Sequence, residues 1–304
     1  VIVGVDYASV DGNRPPIWID AKRACAEQGS SLGFVVFRGA WGTFADPVIG
    51  RDWVNAGAAG LVRGAYLYLR LKPDIVAKMS PEDQVHAFAD NVGALYDEDL
   101  IPTIDVEDTA ASPAVELDLV SRAWEAMRSI YRAAPMIYTS ARVWKEDLKN
   151  LPAGAMRASP LWLAKPWPWP THAKARLDPT PFAKGELDPA VPPSWGDNGN
   201  WWVHQYQGDA FPMSGFTNTV DLNRFHVMRQ GERGDRVKWV QRRIFGADSN
   251  HYCAAGNPTD IDGVFGPSTL AAVKTFQTLH LLAADGVIGP KTFAALSWVD
   301  APAV

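Results

Sequence analysis

Ile101-Pro102-Thr103-Ile104-Asp105-Val106-Glu107 reads as a short β-strand running into two acids. Residues two apart on a strand face the same side, so Asp105 and Glu107 point together while Val106 points into packing. Upstream, Val1–Asp6 is β-branched and also ends in an acid, Leu32–Phe37 closes on Arg38-Gly39, and Leu61–Tyr68 has the same strand character. Downstream, short strands are expected over Met136–Tyr138, Pro160–Ala164 and Trp201–Tyr206. Between them the spacing predicts helices over about 18–28, 50–57, 81–98 and 115–131, the last from Val115, Leu119, Ala123, Met127 and Ile130. Strands alternating with helices over about 230 residues predict parallel β/α units, and eight strands closed into a barrel fit that length better than an open sheet. Asp6, Arg38, Glu107 and Gln205 all fall where strands end, the chemical edge of such a barrel.

Length and composition leave room for this fold and for more. The 304 residues suit two domains, and 47% hydrophobic against 21% charged residues excludes a disordered or fibrous chain. A net charge of −5 gives no basic field for nucleic acid, and no apolar run is long enough to insert in a membrane. Cys25 and Cys253 are expected as separate thiols in different domains. The six histidines (His86, His172, His204, His226, His251, His280) show no metal-ligand spacing, so neither a metal nor another cofactor is expected. Rossmann and phosphate-loop glycine patterns and a Gly-x-Ser-x-Gly elbow are also missing.

Toward the C-terminus the pattern changes twice. From Lys165 to Asn200 runs a proline-rich excursion, too long for a plain connector and so read as a functional loop; its Trp167, Trp169 and Trp195 are carbohydrate-facing aromatics or the small core of the loop itself. After Phe225 a charged, glycine-bearing stretch over 229–234 reads as a linker between a first domain at 1–228 and a second at 235–304. The second contains an internal repeat, Asp262-Gly263-Val264-Phe265-Gly266-Pro267-Ser268-Thr269 recurring 23 residues later as Asp285-Gly286-Val287-Ile288-Gly289-Pro290-Lys291-Thr292. Asp-Gly marks a tight turn and the residues after Gly-Pro lead into a helix. With a further helix around Val237, Val240 and Ile244, this makes a small all-α module.

Asp105 and Glu107 are the sharpest candidate site. Close acids raise one another's pKa, which keeps one protonated as a general acid, and glycosidic cleavage needs that acid and a second carboxylate. Solvated surface acids are the plain alternative. Asp6 and Asp221 would meet if a barrel closes, or would serve as turn and cap acids. Arg38 is a charge anchor or a surface residue. Tyr66, Tyr68 and Tyr138 are sugar or carboxylate partners or core residues. Trp201, Trp202, Gln205 and Tyr206 make an aromatic and amide mixture suited to carbohydrate.

These pieces, taken in order, resemble glycoside hydrolase family 25, the Chalaropsis-type muramidases: Gly4-Val5-Asp6, Gly64-Ala65-Tyr66, Asp105-Val106-Glu107, Ile137-Tyr138-Thr139-Ser140, Leu161-Trp162-Leu163-Ala164, Gln205-Tyr206 and Val220-Asp221-Leu222-Asn223. Residues 234–298 resemble the small helical peptidoglycan-binding domain marked by Asp-Gly-x-x-Gly-Pro-x-Thr. The resemblance implies a modified TIM-like (β/α) barrel with incomplete last helices, followed by a three-helix module. It implies hydrolysis of the β-1,4 bond between N-acetylmuramic acid and N-acetylglucosamine in bacterial peptidoglycan. Glu107 would be the general acid, Asp105 its stabilising neighbour, and Asp6 and Asp221 the rest of an acidic cluster. Arg38, Tyr66, Tyr68, Tyr138, Trp162, Trp202, Gln205 and Tyr206 would contact substrate. Two departures stand out, Trp41 where family members commonly carry an acid, and Leu67 where they commonly carry His. A monomer, secreted or phage-encoded and released to the cell wall, is expected. A catalytically inactive wall-binding protein and a hydrolase of another aminosugar polymer are the rival readings. A wall-binding module would raise the local concentration of the cleft, so its removal is expected to harm action on whole walls more than on soluble fragments.

Overall fold

The computed structural model describes residues 1–12, 14–165, 177, 188–195, 200–245 and 261–299. The expectations placed on Trp167, Trp169 and Cys253 lie outside these residues. Cys25 is a buried free thiol.

Six strands, β1 (Ile2–Tyr7), β2 (Ser31–Trp41), β4 (Val62–Tyr68), β5 (Thr103–Asp105), β6 (Met136–Thr139) and β7 (Leu161–Ala164), pair in parallel in that order, with β3 (Phe44–Ala45) folded back on the end of β2. β8 (Trp201–Pro212) joins parallel to β7, and β9 (Thr219–Phe225) runs antiparallel to both β8 and β1, closing an eight-stranded ring. Around it lie α1 (Trp18–Glu27), α2 (Val48–Ala58), α3 (Pro73–Val76), α4 (Pro81–Val92), α5 (Pro113–Tyr131) and α6 (Ala141–Glu146). Among the described residues no α-helix lies between β7 and β9.

The sequence pattern locates most of these elements and misses β9 as a strand. The helix expected over 81–98 stops at Val92, because Gly93 takes φ +74 and its N–H caps the Ala89 carbonyl. Ser80 caps the other end, accepting from Asp83 N–H while the Asp83 carboxylate accepts the Ser80 N–H.

Alternation along the strands sorts the core into two shells. Val3, Val5, Val35, Phe37, Leu67, Ile104 and Ile137 face outward against the helices. Phe34, Val36, Val62, Met136, Trp162 and Phe225 fill the barrel. Gly4 makes this filling possible, since a Cβ there would fall 2.2 Å from the Phe34 ring.

The C-terminal module holds α7 (Asp235–Phe245), α8 (Pro267–Leu279) and α9 (Pro290–Ser297). Its repeat is structural. The Gln241 amide donates to Asp262, to the Val264 carbonyl and to Thr269, and accepts the Gly263 N–H. Gln277 does the same with Asp285, Val287, Thr292 and Gly286. Gly263 and Gly286 both sit at positive φ, +74 and +75, which explains Asp-Gly in each copy.

The segment expected as a linker is tied down at both ends. Met228 pairs with Ile288 and Arg233 with Val264, and Gly231 donates to the Phe265 carbonyl. The module closes the barrel floor. Trp202 and Phe225, at the bottom of the barrel interior, meet Phe293 with ring centroids 4.7 and 5.4 Å apart, and Trp202 lies 5.2 Å from Trp239. Barrel interior and module share one apolar cluster.

Loss of the module would therefore expose Trp202 and Phe225 as well as remove a wall contact. Phe293→Ala is expected to cost about 3–5 kcal/mol and to lower the unfolding temperature of the barrel along with that of the module. Calorimetry checks this: one cooperative transition shifting as a whole is expected, whereas two transitions with only the second shifted would mean independent domains.

Candidate active site

At the end of the barrel opposite this floor the inward positions turn polar. They line a cleft of about 340 Å³. β1 supplies Asp6, β5 leads into Asp105 and Glu107, and β9 supplies Asp221. Asp6 and Asp221 are direct partners in the β1–β9 pairing. Arg38, Tyr66, Tyr68, Tyr138, Trp162 and Gln205 line the same cleft.

Two amides organise the acids. Gln205 Nε2 donates to Asp6 (3.2 Å) and to Asp221 (3.1 Å), and its Oε1 accepts the Tyr138 hydroxyl at 2.7 Å. Asn223 Nδ2 donates to Asp6 at 2.6 Å, while its Oδ1 accepts the Trp162 indole N–H at 2.7 Å. Each amide oxygen is thus claimed by a fixed donor, which turns each NH₂ toward the carboxylates. Tyr138 and Trp162 act here through Gln205 and Asn223. Arg38 is held by Asp46, with Nε and a terminal nitrogen both 2.8 Å from one carboxylate oxygen. Asp46 also accepts the Ser9 and Val48 N–H groups, so one buried acid fixes Arg38 and the loop after β1 together.

Burial dominates the electrostatics. It lifts Asp6 from 3.8 to about 7, against the opposing hydrogen bonds from Asn223 and Gln205, with the charges of Asp11 and Glu107 adding to the rise. Asp105 is pushed well above its ordinary value by burial, then by Glu107 and Asp6, with Arg38 opposing. One Asp105 oxygen, Oδ1, is buried with no hydrogen-bond partner among the described residues, consistent with a carboxyl that resists ionising in the free protein. Glu107 is exposed at the cleft mouth.

Two expected substrate contacts lie elsewhere. Trp202 is fully buried at the opposite end of β8, packed on Phe293 and Trp239 at the floor. Tyr206 is also fully buried, in the outer shell, because alternation along β8 turns Gln205 into the cleft and its neighbour outward. Direct contact with substrate is replaced in both cases by core packing. Trp195 packs on Trp144 at 4.6 Å, the loop-core alternative for that residue. Sequence reasoning does not single out Asn223, Asp46 or the cleft residue Asp11 as site residues. Asn223 lies inside the Val220–Asn223 motif, two residues from Asp221 and hence on its face. Asp46 has no local signal.

Residues 18–210, more than half of the chain, match glycosyl hydrolases family 25. The chain belongs to that family. The match starts beyond Asp6 and stops before Asp221, and strand pairing brings both acids into the cleft. Residues 233–296 match the putative peptidoglycan binding domain. Among solved structures, the fold is similar to a bacterial lysozyme from Streptomyces coelicolor (22% identity, TM-score 0.56, covering 74% of this chain and 92% of that one). It is also similar to a muramidase from Trichobolus zukalii (22%, TM-score 0.54, covering 74% and 94%) and a family GH25 lysozyme from Aspergillus fumigatus (20%, TM-score 0.54, covering 74% and 93%). A stretch of 59 residues is 44% identical to zinc D-Ala-D-Ala carboxypeptidase of Streptomyces albus G. That stretch is 19% of this chain, which spans about a fifth (21%) of the length of this curated relative.

The raised Asp6 gives this family 25 chain a signed pH dependence. Asp6 ionises at about 7 when folded and 3.8 when unfolded, so its neutral form contributes stability that is complete below 3.8 and lost as pH rises to about 7. Asp6→Asn is expected to flatten the fall in Tm between about pH 4 and 7, the window set by that shift. Thermal melts across that range check it, and an unchanged slope would mean that Asp6 ionises freely.

Proposed function

We propose that the chain is an N-acetylmuramidase that hydrolyses the β-1,4 bond between N-acetylmuramic acid and N-acetylglucosamine in bacterial peptidoglycan. The observation that carries this reading is the gathering of Asp6, Asp105, Glu107 and Asp221 in one cleft at the chemical end of a family 25 barrel. The putative peptidoglycan binding domain behind the barrel supports the choice of polymer, and release to the cell wall as a monomer accords with it.

In this reading Glu107 is the general acid. It stands at the cleft mouth, where its proton can pass to the leaving oxygen of a glycan lying over the acids. Cleavage leaves positive charge at the anomeric carbon, and Asp105 faces it. As the sugar binds, the proton that Asp105 holds in the free protein passes to Glu107, so Asp105 faces the forming cation as a carboxylate while Glu107 delivers that proton to the leaving oxygen. Two routes fit this arrangement: the substrate's own 2-acetamido group attacks while Asp105 steadies the resulting oxazolinium ion, or a carboxylate of the cluster attacks the anomeric carbon. Tyr138 and Gln205 keep Asp6 and Asp221 aligned beneath the sugar.

Mass spectrometry of products from purified peptidoglycan tests the proposal beside a Glu107→Gln variant. Soluble disaccharide-peptides with muramic acid at the reducing end are expected, with a rate loss of about 10²–10⁴ in the variant. Reducing-end glucosamine would overturn the bond assignment, and wall binding without any product would favour a non-catalytic wall-binding protein.

A further inference from the structure

Beyond the cleft, β2 carries an aromatic tip. The pairing of β2 with β4 slips between Arg38 and Ala40, a bulge at Gly39. Before it Arg38 pairs with Tyr66; after it Ala40 pairs with Leu67 and Trp41 with Tyr68. The extra residue changes the alternation, so Trp41 comes onto the face shared by Tyr66 and Tyr68, which line the cleft. Without the bulge Ala40 would take that face. Trp41 also pairs across the hairpin with Phe44, and directly opposed residues of an antiparallel pair share a face. The two rings lie 5.9 Å apart at 35°.

This tip is held firmly and left open. Gly42 takes φ +61 in the two-residue turn, where a Cβ would press on Met79 and Arg70 at 3.2 and 3.3 Å. Its N–H donates to the Tyr68 carbonyl, which ties the turn to a strand of the cleft wall. The Arg70 guanidinium lies 3.8 Å from the centre of the Trp41 ring, and the Arg70 backbone is clamped on both sides by the buried Gln84 amide. Even so, Trp41 is 38% exposed and Phe44 60% exposed. Among the described residues Trp41 is the only exposed tryptophan. Leaving two large rings in water forgoes burial worth about 1.5–3 kcal/mol for a Phe-sized side chain, and they are not needed to cover any core.

We propose that Trp41 and Phe44, backed by Arg70, form an outer sugar-binding subsite for a unit of the glycan strand beyond those held at Asp105 and Glu107. The row Trp41, Tyr68, Asp105 runs across β2, β4 and β5 in register, so a linear polymer over the acids continues onto the aromatic tip. Aromatic rings offer the apolar face that a pyranose ring stacks on, and the guanidinium beside them donates hydrogen bonds to an acetamido carbonyl or a lactyl carboxylate. The occupant is thus an N-acetylated aminosugar. Its identity as a muropeptide glycan rests on the muramidase reading; the subsite itself rests on the exposed rings and the register.

Calorimetric titration of the Glu107→Gln protein with peptide-free glycan strands, fractionated to disaccharide and octasaccharide, separates these points. The octasaccharide is expected to bind more tightly than the disaccharide, and Trp41→Ala in that background to cut this length-dependent margin about tenfold, roughly one stacked ring. Phe44→Ala gives the same test at an exposed position with little risk to folding. An unchanged margin in both variants, equal binding of both lengths by the parent, or an equal loss for both lengths would overturn the subsite. Product analysis of the wild-type chain is read separately: failure to cleave the octasaccharide sinks the muramidase reading, while the length margin still decides for or against the subsite at Trp41 and Phe44.

Discussion

The antiparallel pairing of β9 with β1 is the constraint on which the molecule turns. It closes the barrel and in the same register sets Asp6 against Asp221. Along β9 the inward positions run Asp221, Asn223, Phe225, from acid through amide to aromatic. β2 follows the same gradient with Arg38, Val36 and Phe34, and β6 with Tyr138 and Met136. Each strand is polar at one end and apolar at the other, so closure alone assembles an acidic cleft above an apolar column.

That column explains the behaviour of the acids. A carboxyl above packed rings is buried from beneath, and its charged form is correspondingly costly. Asp6 receives two amide donors and still stays well above an ordinary aspartate, and Asp105, without a partner for Oδ1 among the described residues, is likewise held well above its ordinary value by burial. The floor of the column belongs to the C-terminal module. Phe293 and Trp239 seal what Phe225 and Trp202 begin. The module therefore completes the buried column beneath the acids, although it lies at the far end.

Much of this was legible in the sequence because it repeats at the period of the structure. β-branched runs ending in polar residues gave the strands, and the spacing of Asp105 and Glu107 gave a shared face. β9 was not, since Asn223-Arg224 breaks the alternation of Thr219–Leu222, and Asp221 and Asn223 are residue types that favour turns and caps. Both are polar because they serve the cleft, the very feature that hides the strand. Trp202 and Tyr206 misled for the opposite reason. Aromatic chemistry suited to sugars is equally suited to a core, and position along β8 and its parity decide between the two. Gln241 and Gln277 lie outside the repeated octets they hold together, so the repeat advertised its turns and concealed their clamps.

Docking of the module also alters what a wall-binding domain does for such an enzyme. A flexible tether raises the concentration of a cleft over every orientation its linker permits. Here residues 229–234 are bonded into the turns of the module, and aromatic rings cross the interface. A module fixed in this way presents the cleft in one orientation to whatever surface it grips. Module and cleft lie at opposite ends of one packed column, so the module sets the direction from which the acids meet a surface, which a free tether does not.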